Sequence, residues 1–156
     1  MKRKGILLLT FLVLAIFLTG CTGGIVTPLT DEAKIENIIQ EFCLALSDQN
    51  WSKAKSYCIY GSEISNKLVE FEESWNDGII VIETCGGGSF YVDDINYITE
   101  YIGEININGE YAEAYVYLKS TFMFDNDIIS EYYEEGWFLL QRINNDWKLY
   151  DGKEAM

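Results

Sequence analysis

Apolar residues in the first half of the chain recur every three or four positions, which is the spacing of one face of an α-helix. The first such run consists of Ile35, Ile38, Ile39, Phe42 and Leu46. Thr30 stands before this run and is followed by Asp31 and Glu32, so a capping hydroxyl and two anions lie at the positive end of a helix. These positions predict an amphipathic helix over residues 31–47.

Two further helices are predicted before residue 78. Asn50 is placed to cap the first of them, in which four residues fall near one face. These residues are Trp51, Ala54, Tyr57 and Cys58. Four apolar residues at intervals of four, three and four indicate the other helix. They are Ile64, Leu68, Phe71 and Trp75, and the helix is predicted to end at Asn76-Asp77-Gly78.

In the second half of the chain the period changes to two, and β-branched and aromatic residues dominate. The clearest hairpin joins residues 97–107 to residues 110–124 through Asn108-Gly109, a pair that accepts positive φ at both turn positions. Further turn signals are Asp125-Asn126-Asp127 and Asn144-Asn145. The second half is therefore predicted to be an antiparallel meander of three long strands, closed by a short strand around residues 147–151.

Helices followed by such a meander predict an α+β fold, in which N-terminal helices pack on one face of a curved sheet. Four segments of the chain resemble the nuclear transport factor 2-like superfamily, across residues 30–151. They are the first helix with its Ile/Phe stripe, Asp48-Gln49-Asn50-Trp51 with Ala54, the Asn108-Gly109 hairpin, and Asn145-Asp146-Trp147-Lys148-Leu149. The resemblance implies a cone-shaped domain, and a cystatin-like arrangement of helices on a sheet is the alternative.

The N-terminus has the composition of a secretory signal. Lys2, Arg3 and Lys4 precede an apolar run over residues 6–18 that only Thr10 interrupts. The run is about 13 residues long, whereas a permanent transmembrane helix needs about 20. A cleaved signal peptide is therefore predicted rather than a membrane span.

The segment Leu18-Thr19-Gly20-Cys21 resembles the lipobox of prokaryotic lipoproteins, in which the cysteine is acylated and becomes the new N-terminus. The chain is also similar to small lipoproteins of unknown function that carry domains of the superfamily named above. The expected organisation is a lipoprotein signal peptide over 1–20, a lipidated tether over 21–29 and an α+β domain over 30–156. The resemblance implies palmitate on Cys21 and a position at the extracytoplasmic face of the cell membrane; an ordinary cleaved signal with a chance cysteine is the alternative.

Acidic residues dominate the chain after Cys21. Removal of residues 1–20 leaves 25 acidic and eight basic residues, a net charge of −17. Such a surface repels nucleic-acid phosphates and anionic lipid headgroups, so we expect no nucleic-acid binding and a domain that stands off its membrane. The charges are dispersed among apolar residues, which predicts a folded domain rather than an acidic tail.

Three cysteines remain once Cys21 is lipidated, so an oxidising exterior allows at most one internal disulfide. Cys43 lies late in the first predicted helix and Cys58 late in the second, and antiparallel packing of these helices would bring them near each other. A disulfide between Cys43 and Cys58 is the preferred prediction. A Cys58–Cys85 pair, or three reduced thiols, are the open alternatives.

The predicted strand over residues 110–124 has two different faces. The core-like face carries Ala112, Ala114, Val116, Leu118, Phe122 and Phe124, and the amphipathic face carries Tyr111, Glu113, Tyr115, Tyr117, Lys119 and Met123. The amphipathic face aligns with Tyr133 and Trp137 of the next strand. We predict that Tyr115, Tyr117, Tyr133 and Trp137 bind a protein partner or a second copy, because exposed aromatic patches are uncommon on monomers. Alternatively, this face lines a pocket for a small apolar ligand, or merely covers the outside of the sheet.

The chain contains no histidine, which excludes Ser-His, Cys-His and histidine–metal sites. A carboxylate mechanism stays open, with Asp93, Asp94 or Glu83 as the base and Tyr115 as the proton donor. No segment has the residue spacing of a calcium-binding or phosphate-binding loop. We therefore expect no catalytic residues, no metal and no cofactor.

Together these features favour a non-enzymatic, membrane-anchored binding domain for an envelope protein or a small apolar ligand. A carboxylate-based dehydratase or isomerase is one alternative, and a structural domain that dimerises is another. The directions of Glu113, Glu131 and Glu135 bear on the choice, because an enzyme needs a carboxylate buried in the cone with a raised pKa.

Overall fold

The computed structural model describes residues 29–78, 80–83 and 89–154. Three helices come first: α1 (Asp31–Ser47), α2 (Trp51–Ser56) and α3 (Glu63–Asn76). Each begins at a side chain that accepts a hydrogen bond from the first turn, with Thr30 bonded to Ala33 N, Asn50 to Lys53 N and Ser62 to Ser65 N. The three predicted helices are confirmed.

The strands form two antiparallel sheets. A small hairpin pairs β1 (Val81–Glu83) with β2 (Ser89–Tyr91). The main sheet is a meander in the order β3, β4, β5, β6. Its strands are β3 (Asp94–Asn108), β4 (Tyr111–Phe124), β5 (Asp127–Ile143) and β6 (Asp146–Glu154). Helices before an antiparallel meander confirm the predicted α+β class.

Short turns join the four long strands. Asp125 and Asn126 have positive φ in one turn, as do Asn144 and Asn145 in the next, which agrees with the predicted turn positions. The first turn is shifted by one residue from the prediction. Asn108 pairs with Tyr111 as part of the ladder, so Gly109 and Glu110 are the central residues, and of these only Gly109 has positive φ.

The helices cover one face of the main sheet and bury an apolar cluster against it. Its fully or nearly fully buried members include Ile35, Ile39, Ala45, Ala54, Leu68, Ala112, Ala114, Val116, Leu140, Trp147 and Leu149. Phe42 of α1 meets Phe138 of β5 edge to face, with ring centroids 6.1 Å apart. Ala114 lies between β3 and β5 opposite Phe138, and its small side chain leaves room for this contact.

Contacts between residues that are distant in the sequence hold the helices in place. Arg142 of β5 binds Asp31 at the start of α1 with an N–O distance of 2.5 Å, and its guanidinium lies 4.5 Å from the centre of the Trp147 ring. After α2, the backbone of Tyr57 and Ile59 bonds with Leu149 of β6 at 2.9 and 2.8 Å. The last strand therefore closes the helical layer.

Within the described ranges, no helix combines the length and the apolar character that a bilayer crossing requires. The predicted signal peptide, the lipobox and Cys21 lie outside the described residues.

Candidate binding surfaces

The structure brings together the four residues of the predicted aromatic face, Tyr115, Tyr117, Tyr133 and Trp137. Tyr115 contacts Trp137 across the β4–β5 ladder, with ring centroids 5.5 Å apart and nearly perpendicular planes. Tyr117 stacks on Tyr133 at 5.9 Å with an interplanar angle of 19°. These residues alternate with the buried Ala114 and Val116 and therefore lie on the face that the helices do not cover.

The rings of the aromatic face remain open to solvent. Tyr133 is 54% exposed, and Tyr115, Tyr117 and Trp137 are partly exposed. Tyr101 of β3 extends the surface, because it lies opposite Tyr117 in the ladder and is 62% exposed. Sequence reasoning missed Tyr101. The register of β3 shifts between Thr99 and Tyr101, so simple alternation along that strand does not assign its face.

Charged groups beside the rings are paired within the molecule. Lys119 binds Glu131 at 2.5 Å, and Lys153 binds Glu113 at 2.9 Å. The Tyr115 hydroxyl donates to Glu135 at 2.5 Å, which raises the pKa of Tyr115. All three of these glutamates lie on the outer side of the sheet and not among the residues that the helices bury.

A cavity of about 470 Å³ lies where β6 ends against β5. Val116, Leu118 and Phe138, which face the helices, give it an apolar wall. Its other lining residues are Glu134, Glu135, Gly136, Trp137, Gly152 and Lys153. The volume falls within the range of small-molecule sites, about 300–1,000 Å³.

Neutral polar groups lie deeper on the helix-facing side. Burial raises the pKa of Tyr97 to about 12, and the charge of Glu134 acts in the same direction. Burial also raises the pKa of the Cys43 thiol to about 11. Ser47 at the end of α1 ties this region together, because its hydroxyl accepts a hydrogen bond from Tyr97 N at 2.8 Å. These groups are protonated at neutral pH and therefore add no charge to the interior.

The structure contains no disulfide between Cys43 and Cys58, and both side chains are buried free thiols. The expected pairing is therefore not present. Cys43 lies beside Thr99 of β3. Cys58 lies beyond α2, where its backbone forms an isolated β-bridge with Leu149 of β6 and its thiol donates a hydrogen bond to Ala54 O at 3.6 Å. The two thiols thus pack against opposite edges of the sheet. Cys85, the alternative partner, lies outside the described residues.

The candidate acid and base are not brought together. Asp94 pairs with Met123, eight positions along β4 from Tyr115, a separation of about 27 Å at about 3.4 Å per residue. Asp93 instead accepts a hydrogen bond from Asp125 N at 2.8 Å and so stabilises the β4–β5 turn. Nothing is described of the Glu83 side chain.

A second hollow, of about 500 Å³, lies at that end of the sheet. Gln49, Asp93, Asp94, Met123, Asp125 and Asn126 line it. Over the part of the chain that the structure describes, no three metal-ligating side chains are grouped in the way a metal site requires.

Comparison of the sequence with protein-family models and with curated proteins found no match. Solved structures do share the fold. A protein of unknown function with a cystatin-like fold from Nostoc punctiforme is similar at a TM-score of 0.55 and 12% identity, covering 82% of this chain and 93% of that one.

Two other similar structures are a protein of unknown function and one described as a proposed dehydratase. A nuclear transport factor 2-like protein of unknown function from Shewanella oneidensis has a TM-score of 0.51 and 9% identity, covering 79% of this chain and 97% of that one. A proposed scytalone dehydratase from Novosphingobium aromaticivorans has a TM-score of 0.56 and 8% identity, covering 79% and 83%. At these identities the similarity shows the fold alone.

Proposed function

From a domain with the nuclear transport factor 2-like and cystatin-like fold, we propose a non-enzymatic binding protein of the cell envelope. A lipid on Cys21 anchors the mature chain to the extracytoplasmic face of the membrane. The aromatic face then binds a protein partner. The observation that carries this proposal is the set of paired, solvent-open rings on the side of the sheet that the helices leave bare.

Both the rings and their polar neighbours suit a protein interface. Tyrosine and tryptophan supply large apolar areas with few rotatable bonds, and they are enriched where proteins bind one another. Lys119 and Lys153 are neutralised by Glu131 and Glu113 before any partner arrives. Burying this face therefore leaves few charges without a partner, which limits the cost of desolvation.

Separation of the acid–base candidates favours binding over catalysis. Tyr115 points outward and bonds to Glu135, while Asp93 is engaged in a turn far along the strand. Carboxylate chemistry of the dehydratase type needs a base and a donor on either side of one substrate. The candidate residues do not form such an arrangement, and they therefore give no support to an enzymatic proposal.

Site-specific photo-crosslinking in intact cells tests the proposal. Benzoylphenylalanine replaces Tyr133 on the aromatic face, and a matched chain carries it at Tyr60, which is 99% exposed outside that face. We expect a discrete adduct from position 133 and none of the same mass from position 60. The adduct should weaken when Tyr117→Ser removes the stacked ring, because the partner then loses part of its contact area.

The mass of the adduct identifies the kind of partner. Twice the chain mass would mean a second copy, whereas another discrete mass would mean a different envelope protein. Equal adducts from both positions, or none from position 133, would contradict a binding role for this face.

A further inference from the structure

We propose that the open edge of β5, residues 127–135, together with the adjoining cavity, receives an extended basic segment of a protein partner by strand addition. An arginine or lysine of that segment enters the cavity. The proposal does not rest on the rings of the aromatic face: Tyr133 lies within this edge, but strand addition uses its backbone and the helix-facing side of the sheet. It combines an unpaired edge, an apolar cavity beside that edge and an uncompensated carboxylate.

The edge is long and unpaired among the described strands. Among the described residues β6 pairs with β5 from Ile143 to Gly136, so β5 continues for nine residues beyond the described part of β6. On its other side the same segment is bonded to β4, which holds it in extended conformation. Residues 131–135 are all exposed, and a row of outward N–H and C=O groups on such an edge is a template for another strand.

The cavity lies directly in line with an added strand. Gly152 and Lys153 of β6 form one of its walls, so a segment that continues along β5 past the end of β6 must cross its mouth. Successive side chains of a strand alternate between faces, and every second residue of the segment would therefore point toward the cavity. Val116, Leu118 and Phe138 offer apolar surface there for the methylene groups of a long side chain.

Charge selects the occupant. Glu134 lies opposite Leu118 in the ladder, on the helix-facing side, and it makes no ion pair with any described residue. Lys153, the cation in the cavity lining, is bound to Glu113. A side chain with an apolar stem and a cationic head matches apolar walls with a free carboxylate at the rim, and arginine and lysine have this form. The net charge of −17 on the chain without residues 1–20 draws a basic segment from a distance.

A second copy of this chain fits the edge less well. Residues 127–135 carry Asp127, Glu131, Glu134 and Glu135 and no basic residue. Edge-to-edge pairing of two such segments would bring like charges opposite each other, which destabilises a ladder.

The test uses the mature lipidated protein, residues 21–156, in detergent and a fluorescent peptide of eight residues that alternates valine with arginine or lysine. Fluorescence anisotropy gives the affinity, and hydrogen exchange with mass spectrometry locates the protected amides. We expect slower exchange in residues 127–135 on peptide addition. Methylation of alternate peptide nitrogens on the bonding edge should weaken binding about tenfold or more, because strand addition needs those donors.

Three variants separate the carboxylate, the cavity and non-specific attraction. Glu134→Gln should raise the Kd about tenfold, whereas Glu104→Gln, an exposed carboxylate on β3, should leave it within about twofold. Gly152→Val narrows the cavity beside Phe138 and should also weaken binding. A Cβ at Gly152 would lie 3.7 Å from the Phe138 ring, an ordinary contact, so this variant should fold, which circular dichroism verifies.

Several results would overturn the proposal. Equal affinity for the methylated peptide would indicate charge attraction without strand addition. Equal effects of Glu134→Gln and Glu104→Gln on the Kd would show that Glu134 has no specific role. Absence of binding at millimolar peptide would show that no such site exists. Uptake of the dye anilinonaphthalene sulfonate into the cavity without peptide binding would indicate a small apolar ligand instead. Tyr117→Ser should not change the peptide affinity, so failure here and failure of the aromatic face are distinguishable.

Discussion

At the scale of single residues, the interior is stabilised by polar groups that stay neutral. Tyr97 and Cys43 have pKa values raised mainly by burial. Removing a proton from either group inside the fold would place an anion among apolar side chains, which costs free energy. The folded state is therefore tied to the protonated forms, and alkaline pH should destabilise it.

Tyr97→Phe tests this link to pH. In the unfolded chain Tyr97 ionises near its ordinary pKa of 10, while in the folded chain it stays protonated until about pH 12. The contribution of protonated Tyr97 to the free energy of unfolding is present below pH 10 and is lost as the pH rises toward 12. Between pH 9 and pH 11 the free energy of unfolding should fall by about 1.4 kcal/mol less in Tyr97→Phe than in the parent chain. Urea titrations at both pH values measure the difference, and parallel curves would contradict it.

Alkylation tests the state of the thiols. Burial raises the pKa of Cys43 and of Cys58 to about 11, which cuts the thiolate fraction at pH 8 about a hundredfold relative to a thiol of pKa 9. Iodoacetamide should leave both residues unmodified in native protein and modify both in guanidinium without reductant. Peptide mapping by mass spectrometry reads out each site. If both cysteines stayed unmodified by iodoacetamide in guanidinium, the result would support the predicted disulfide between them.

Residue positions could be predicted from the sequence where one short period decides them. Alternation along β4 placed Tyr115 and Tyr117 on one face, because a strand with intact pairing repeats every two residues. Alternation alone does not assign the face of Tyr101, because this residue lies next to a register shift in β3. The expected proximity of Cys43 and Cys58 depended instead on antiparallel packing of two helices, and the packing of those helices on the sheet places the two thiols against different strands.

At the scale of elements, local chemistry determines the boundaries. Thr30, Asn50 and Ser62 each satisfy a free N–H at a helix start, and this signal is legible in a few residues of sequence. Turn positions were predicted almost as well. The first hairpin turn was placed one residue early, because Asn108-Gly109 and Gly109-Glu110 both put glycine in the turn and cross-strand pairing makes the choice.

Gly109→Ala should destabilise the domain by about 1 to 2 kcal/mol, because φ at this position is +62° and a side chain disfavours that conformation. Glu110→Ala is the matched control, since Glu110 occupies the other central position without a positive φ and should change stability by less than about 0.5 kcal/mol. Chemical denaturation of both variants gives the comparison. Equal effects would mean that the turn tolerates a side chain at both positions.

At the scale of the whole molecule, the class of fold could be predicted and the occupant of the surfaces could not. The order of helices and strands follows from the periods of the apolar residues. Helices followed by an antiparallel meander are compatible with few classes of fold. What binds to a surface depends on the chemistry of the partner. The sequence of this chain contains only the surface that would be complementary to that partner, and not the partner itself. The open edge of β5 was not foreseen, because it exists only through the difference in length between β5 and β6.

Membrane attachment is predicted to depend on one residue. Wild-type protein should incorporate labelled palmitate and sediment with membranes, and Cys21→Ser should incorporate none. Cys43→Ser is the control. Cys43 is buried in the domain, so the variant that lacks it should still incorporate the palmitate label. Palmitate labelling of Cys21→Ser, or equal loss in both variants, would show that another group makes the attachment.

The closure of the helical layer by β6 has a consequence for the order of events in the cell. Arg142 binds Asp31, and Leu149 pairs with the segment after α2, so the N-terminal third reaches its final contacts only when the last strand is present. Such distant contacts make folding slow and leave the domain without a finished core until residues 142–149 have been synthesised. For a precursor that is exported as we propose, this delay keeps the polypeptide threadable through a translocation channel, and the domain acquires its structure on the far side.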